Sequence, residues 1–503
     1  MSQNSPVENF NQNVLTGGIK MNFKLNKLVL ASLTGSFLLG FGASAMADST
    51  FDLVQALVTK GVLTEEEALP LLKGRENDIQ LADKKVKKAA KLSVSDAIDN
   101  ATLYGDIRIR YEQREGSGVG LVSTNNVDEN RDRARYKVTL GVKTETGDWY
   151  TDLALAMGAT GRSDNATFGT DTTSGAIDGK QGLFVKRAMI GWKATDWLTL
   201  EAGRMNNPLY TTPMVWDADL NFEGLAEKVN YKMNFADLFF TATQASYQGD
   251  RKNFSTNVAG QADTNTVELY AFQGGAKYAF NDHTNAKAAL TYTTYNHNNG
   301  ATKFSPQLST SFNSAVTPTS AGVNDLDLIE IPAEVNYYFG ANSIGMRLFG
   351  DYAYNTSGSD RYNAAIAASP AGATRNTISA AGNDDTAWML GVAVGSAADF
   401  KSFEANKMVK GDWAARIWYQ DVGAYSVDPN AGDSDFFDSR VNMKGAVFKA
   451  QYNFLDNVFA NLAYGHATRK NKAIGSAGSG TTQDLALNLK DFDLLQLDLT
   501  YKF

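Results

Sequence analysis

From Leu103 to the C-terminus, apolar and polar residues alternate in short runs. Leu103, Ile107, Ile109 and Tyr111 share one parity, while Asp106, Arg108, Arg110 and Glu112 share the other. Tyr136, Val138, Leu140 and Val142 likewise oppose Arg135, Lys137 and Lys143. A strand turns successive side chains to opposite faces, so the pattern predicts strands with one apolar and one polar face. The final run puts Leu495, Leu497, Leu499, Tyr501 and Phe503 on one side and Gln496, Asp498, Thr500 and Lys502 on the other. Ile329, Ile331, Ala333, Val335, Tyr337 and Phe339 form another apolar row. Any one such run could be the edge of a soluble sheet, but their repetition over four hundred residues suits a wall between lipid and water.

The connections are patterned too. Short turns are expected at 146–148, 194–197, 234–236, 281–283, 340–343 and 455–457. Long stretches rich in Gly, Ser, Thr, Asn and Asp fall near 113–131, 160–182, 206–223, 249–264, 297–325, 356–384, 422–439 and 470–488. Membrane barrels place short turns at one end and long loops at the other, with an even strand number. The chain therefore reads as an all-β protein: a transmembrane antiparallel β-barrel of about sixteen strands over 101–503, preceded by a short helical segment. A barrel of that size has room for a water-filled lumen. One connection, 396–410, breaks the rule, since a short turn is expected there and the stretch is long.

Upstream of the strands lie two different segments. Starting at Met21, a basic stretch with Lys24 and Lys27 precedes an apolar run from Leu28 to Ala43 and the small-x-small sequence Ala45-Met46-Ala47. This is a secretory signal pattern, with Met21 the expected start and cleavage expected after Ala47, so that 1–47 is signal plus upstream extension. Residues 48–100 show helical spacing at Leu53, Val54, Leu57 and Val58, then a capping box at Thr64 to Glu67 and a stop at Pro70. Lys84, Lys85, Lys87, Lys88 and Lys91 read as a solvated helical face or as a contact to peptidoglycan or lipid phosphate. A spacer, a subunit association and a plug of the lumen are all open to this segment.

Composition narrows the field. The 44 glycines and 21 tyrosines against 9 prolines favour strands, turns and aromatic girdles. A mean hydropathy of −0.30 argues against a helical membrane protein, but a barrel hides its apolar residues by alternation. No cysteine is present, which leaves no disulfide and no thiolate metal site. Loss of 1–47 removes three lysines and one glutamate, leaving 44 basic against 54 acidic side chains, a net charge of −10 that disfavours nucleic acid as a partner.

If the apolar faces meet lipid, the opposite faces line the lumen. Arg108, Arg110, Arg133, Arg135 and Lys137 then point inward from the first two strands and Arg187 from the fourth, forming a basic wall. Neutralising Arg108, Arg110, Arg133 and Arg135 is expected to shift selectivity toward cations. Catalytic and cofactor chemistry finds no support. His283, His297 and His466 are scattered, and no phosphate-binding glycine pattern sits at a strand-to-helix junction. Asp433, Asp435 and Asp438 lack calcium-loop spacing and read as a solvated acidic turn. No cofactor is expected, and no enzyme.

Several segments resemble the putative porin family of proteobacterial outer membranes: GRMNNPLYTTPMVWDADLNFEGLA at 203–226, LFGDYAYN at 348–355, KGDWAARIWYQDVG at 410–423 and DSDFFDSRVNMKG at 433–445. FDLVQALVTKGVLTEEEA at 51–68 is similar to the helical lead such proteins carry. The resemblance implies a channel in the outer membrane of a Gram-negative bacterium, surrounded by lipid, passing small hydrophilic solutes and assembling as a homotrimer. The last strand, ending on Phe503, resembles the closing strand of such barrels, with Tyr501 and Phe503 at the seam. The stretch 205–222 lies between the fifth and sixth strands and resembles the loop that general porins fold into the pore. Pro208 and Pro213 would stiffen it, Trp216 anchor it, and Asp217 and Asp219 charge a constriction. The same two aspartates equally suit turns in an external loop, with Trp216 packed on the wall. The alternative role is a structural or adhesive barrel tied to the cell wall, with a closed lumen.

Overall fold

The computed structural model describes residues 98–120, 125–158, 163–169, 181–248, 267–295, 326–340, 344–368, 371–396, 409–472, 474–476, 485 and 487–503. The chain divides into two units, 1–90 and 91–503. The signal pattern and nearly all of the helical lead at 48–100 lie outside the described residues.

Eighteen strand segments form one continuous sheet. In order they are β1 (Asn100–Gly120), β2 (Asn126–Thr146), β3 (Trp149–Gly158, resumed at Ala166–Thr167), β4 (Gly182–Lys193), β5 (Leu198–Asn206), β6 (Asn221–Lys232), β7 (Ala236–Gln248) and β8 (Val267–Asn281). There follow β9 (Thr284–Tyr295), β10 (Leu328–Glu330 and Ala333–Phe339), β11 (Ile344–Asn355), β12 (Thr386–Ser396), β13 (Trp413–Val422), β14 (Met443–Leu455), β15 (Val458–Arg469) and β16 (Leu487–Lys502). Both pieces of β3 pair with β2, and both pieces of β10 pair with β9 and β11, so the wall has sixteen positions. The break in β10 falls at Pro332, which has no amide hydrogen to give a ladder. Neighbours are antiparallel throughout, and β1 pairs with β16 from Asp106↔Lys502 to Gly120↔Leu487, closing the barrel.

The parity read from the sequence separates the two faces. Leu103, Ile107 and Ile109 are exposed on the outside, whereas Arg110, Glu112 and Arg114 between and beyond them are buried inside. Outward aromatics gather near the short turns, where Trp149 stacks on Trp192 at 5.5 Å and Tyr337 meets Phe339 at 4.9 Å. A second level carries Tyr292, Tyr352, Trp388 and Tyr419. Ile344 and Tyr352 are eight residues apart on β11, about 27 Å along a strand, or roughly 20 Å of height at the usual tilt. Two aromatic levels with an apolar band between them fit the hydrocarbon slab of a bilayer.

Three connections differ from expectation. The loop expected at 113–131 is mostly ladder, since β1 and β2 remain paired to Val119↔Asn126. There the inner face of β1 is covered at Arg114, Gly116 and Gly118, while its outer face turns polar at Gln113, Glu115 and Ser117, so the strand continues without apolar alternation to mark it. The loop expected at 356–384 contains α1 (Gly358–Ala368) and α2 (Ala373–Ala381), short alanine-rich helices that pack Tyr362, Ile366 and Ile378 near Tyr425. The stretch at 396–410 is a true long connection: β12 ends at Ser396, β13 begins at Trp413, and their register runs unbroken from Ala387↔Val422 to Gly395↔Ala414.

At the seam, the Gly105 amide donates to the Phe503 carbonyl at 3.0 Å and the Phe503 amide donates back at 3.1 Å. The Phe503 ring occupies the space a side chain on Gly105 would need, with Cζ 2.6 Å from an added Cβ. Deleting Phe503 removes both hydrogen bonds, each of about 1 kcal/mol, and the ring that covers the glycine. The truncated chain should fold in vesicles at a several-fold lower yield, scored by heat-modifiable gel mobility, while inserted molecules conduct normally. Full yield from the truncated chain would count against a closing role.

Candidate functional site

The inner face of β1, β2 and β16 holds a dense charge cluster. Arg108, Arg110, Arg133, Arg135 and Lys137 all occupy inner positions, as does Arg187 on β4, where a bulge between Ala154 and Leu155 of β3 adjusts the register. They do not form a net basic wall. Glu112, wholly buried, sits among four guanidinium groups: Arg133 donates Nε at 2.6 Å and Arg114 at 3.1 Å, with Arg110 at 3.6 Å and Arg135 at 3.7 Å. Gln496 adds a hydrogen bond to the same carboxylate at 2.8 Å. Asp498 takes Arg110 in a two-point bond at 2.7 and 2.9 Å and lies 3.6 Å from Arg108. Lys137 pairs with Asp106 at 3.3 Å, and Arg187 gives hydrogen bonds to Asp152 and Tyr104 at 2.9 and 2.6 Å. Around the open lumen beside this cluster, six cations (Arg108, Arg110, Lys137, Arg416, Lys449, Lys502) face six carboxylates (Asp106, Asp217, Asp219, Asp433, Asp435, Asp498). The expected excess of positive charge is absent because carboxylates from distant segments return to it.

Some of those carboxylates arrive on the loop 207–220, which leaves β5, crosses the lumen and fastens to the far wall. The Tyr210 amide donates to Gln273 on β8 at 2.8 Å, and Gln273 donates back to the Tyr210 carbonyl at 2.8 Å. The Tyr210 hydroxyl donates to Glu334 on β10 at 3.1 Å, Thr211 donates to Glu330, and Thr212 donates to Asp351 on β11 at 2.5 Å. Burial, with Glu334 adding to it, pushes the Tyr210 phenol well above its ordinary range, so it stays a donor. Pro208 lines the lumen on the turn side of the loop. Trp216 is buried edge-to-face against Phe222 at 5.1 Å, packed on the wall. Asp217 accepts the Asp219 amide at 2.9 Å, which makes it a turn former, and the Ser434 amide and hydroxyl at 3.1 and 3.0 Å. Asp219 is left half-buried on the lumen side.

Ser434 belongs to a second inward loop, 423–442, between β13 and β14. Its Asp433, Asp435 and Asp438 are not a solvated acidic turn. Asp435 accepts Arg110 at 3.0 Å and Arg114 at 2.9 Å, and Asp438 accepts Arg114 at 3.2 Å and Arg440 at 3.1 Å. The Asp433 amide is bound to the Pro213 carbonyl at 3.0 Å. Burial by itself would raise the Asp435 carboxyl, but Arg110 and Arg114 outweigh it and hold the group well below the usual carboxylate range. Phe437, Asp438 and Ser439 have φ of 67°, 53° and 54°, three left-handed residues in a row. Such a conformation costs an ordinary residue of order 1 kcal/mol or more. The ion pairs of Asp438 and the packing of Phe436 over Gly465 hold it in place.

Sequence parity found the arginines and the resemblance pointed to the loop at 205–222, but both missed Glu112 as the arginines' common partner and the inward course of 423–442. Glu112 shares the parity of Arg108 and Arg110, so its place inside was legible; its partners were not. Among the described residues no group of three or more His, Asp and Glu is arranged to hold a metal ion. His283 lies at a turn with Nδ1 3.1 Å from the Tyr338 carbonyl, His466 faces outward beside Asp493 at 2.9 Å, and His297 lies outside the described residues.

Residues 115–324 match the model of a family described as "Putative porin". No curated protein matches the chain. Among solved structures, the chain is similar to Pseudomonas putida OprB in its high pH structure, at 11% identity over 80% of this chain and 94% of that one, with a TM-score of 0.43. It is also similar to in-vitro folded OmpT, an outer membrane protein of Vibrio cholerae, at 10% identity over 82% of this chain and 100% of that one, with a TM-score of 0.41.

Proposed function

We propose, for a chain that matches the putative porin family over residues 115–324, that it is a passive diffusion channel for small hydrophilic solutes and ions in the outer membrane of a Gram-negative bacterium. The observation that carries this reading is the loop 207–220, hydrogen-bonded across the lumen to β8, β10 and β11, which narrows the barrel without any bond to its own flanking strands being lost. Equal numbers of guanidinium or ammonium groups and carboxylates border the remaining gap, an arrangement that sets up a transverse field and orients dipolar solutes. The role is passage, without catalysis or a cofactor. Assembly as a homotrimer, and contact of 48–100 with peptidoglycan, belong to the same proposal.

Planar-bilayer recording of the refolded protein tests it. Discrete openings are expected. Exchanging Arg108 and Lys137 for glutamine leaves four cations against six carboxylates, so the reversal potential in a tenfold KCl gradient should move toward cations. An unmoved potential would remove these two residues from selectivity. A structural or adhesive barrel with a closed lumen is the second reading, and one observation favours it. Leu209, Met214, Val215 and Trp216 of one loop and Phe436 and Phe437 of the other join a single buried apolar cluster inside the barrel. Complete absence of openings from correctly folded protein would select that reading.

A further inference from the structure

On the turn side of the loop 207–220 the lumen holds charges that pair differently. Lys277 on β8 and Lys287 on β9 are directly opposed cross-strand partners. Both lie on the inner face, Lys277 sharing the parity of buried Gln273 and Lys287 that of buried Thr291. Like charges directly opposite one another destabilise a ladder, so their survival calls for a compensating anion. The neighbouring carboxylates are poorly placed to serve. Asp237 on β7 is opposite Lys277 and Glu334 on β10 is opposite Lys287, but Glu334 accepts the Tyr210 hydroxyl and lies 3.6 Å from Arg347. Among the described residues no carboxylate lies within salt-bridge distance of Lys232, Lys277 or Lys287, whereas Lys228 is tied to Glu201 at 2.6 Å. Lys287 Nζ instead stands 3.7 Å from the centre of the Tyr210 ring, a cation–π contact that favours the charge without cancelling it. Among the described residues the chamber is therefore bordered by five cations, Lys228, Lys232, Lys277, Lys287 and Arg347, and by two carboxylates, in contrast to the balanced gap beyond the loop.

We propose that this chamber is a binding site for a small dianion whose charge is carried on oxygen, held between Lys277 and Lys287 with Lys232 at its rim. A monoanion would cancel one ammonium and leave the other unmatched; a dianion answers both. Tyr210 links the site to the loop, since the same residue caps Lys287 and fastens the loop to Gln273 and Glu334. Ammonium groups attract by charge without the fixed fork of a guanidinium, which suits a site that a solute must also leave. The inference rests on the reading of the lumen as a passage, and it places dianion binding at these lysines and not at the arginine cluster.

Hydrogen phosphate and succinate are suitable probes, tested in two ways on the full chain. In calorimetric titration of the detergent-solubilised barrel, wild type should bind at least one probe, and Lys277→Gln/Lys287→Gln should weaken binding tenfold or more while remaining folded by heat-modifiable mobility. Binding of succinate alone would mark a site that needs two separated charges, and binding of both would mark charge alone; either supports the proposal. In bilayers, millimolar probe should reduce chloride current through wild type and spare the double variant, with sucrose as the uncharged control. Folded wild type that binds neither probe overturns the proposal whether or not it conducts. Binding without any channel openings would leave the dianion site standing and remove the diffusion-channel reading.

Discussion

Exchanging Glu112 for glutamine should destabilise the barrel by about 3–5 kcal/mol, the cost of leaving a buried charge network without one partner. The carboxylate is fully buried and is the shared acceptor of Arg114 and Arg133, with Arg110 and Arg135 within 3.7 Å. Glutamine keeps the shape and can still meet Gln496, so the loss reports charge and not volume. Urea titration of the barrel refolded in vesicles should show a lower midpoint. A companion exchange of Arg133 for glutamine should restore part of the loss, because the double variant no longer leaves that guanidinium unmatched. Additive losses in the double variant would show that the two groups do not act on each other.

The loop ion pairs that complete this network give its pH dependence a definite sign. Asp435 has a depressed folded-state value, so its contribution is fully present above the ordinary carboxylate range and is lost only as pH falls through that depressed value. Asp428 in the same loop is raised by burial, although Tyr247 and Asn430 donate to it. Its effect is opposite: stability falls as pH rises from the ordinary aspartate value to the raised one. The loop 423–442 should therefore hold its place in moderate acid.

Removal of 208–219 should raise single-channel conductance several-fold. Asn206 and Asn221 are paired across β5 and β6, so a tight two-residue turn can close the gap without disturbing the wall. A wall of sixteen strands leaves an aqueous lumen unless something enters it, and this segment is what crosses from β5 to β11. The variant should also lose the Ser434 bonds to Asp217, so a part of the increase comes from release of the second loop. A conductance equal to that of wild type would mean that the loop does not limit flow.

Much of the wall was legible because a barrel repeats a local rule. Strand β7 runs from Ala236 to Gln248 and β11 from Ile344 to Asn355, the very bounds that alternation and turn composition predict. A bulge between Thr284 and Asn285 shifts the register of β8 against β9, so counting outward from the turn at 281–283 would set Lys287 opposite Tyr278, and only the structure sets it opposite Lys277. Alternation failed where its physical cause was missing. Above the apolar band the outer face of β1 turns polar and its buried inner face carries Arg114, Gly116 and Gly118, so the ladder continues through residues that look like a loop. In 356–384 small residues that suit a loop also suit a short helix, and only packing against Tyr425 decides between them.

The sequence by itself determined the number of strands, which face of each meets lipid, and therefore that Arg108, Arg110 and Arg187 point inward, since each of these follows from the two-residue period of a strand. Only the tertiary structure decided what those arginines meet. Arg110 and Asp435 are 325 residues apart and come together because two loops turn into the lumen, a choice made by the closure of the barrel, by the bonds of Tyr210 and Thr212 to distant strands and by that of Asp217 to Ser434 of the second loop. Charge sign along one strand is a local fact; charge balance in a lumen is a sum over the whole circumference.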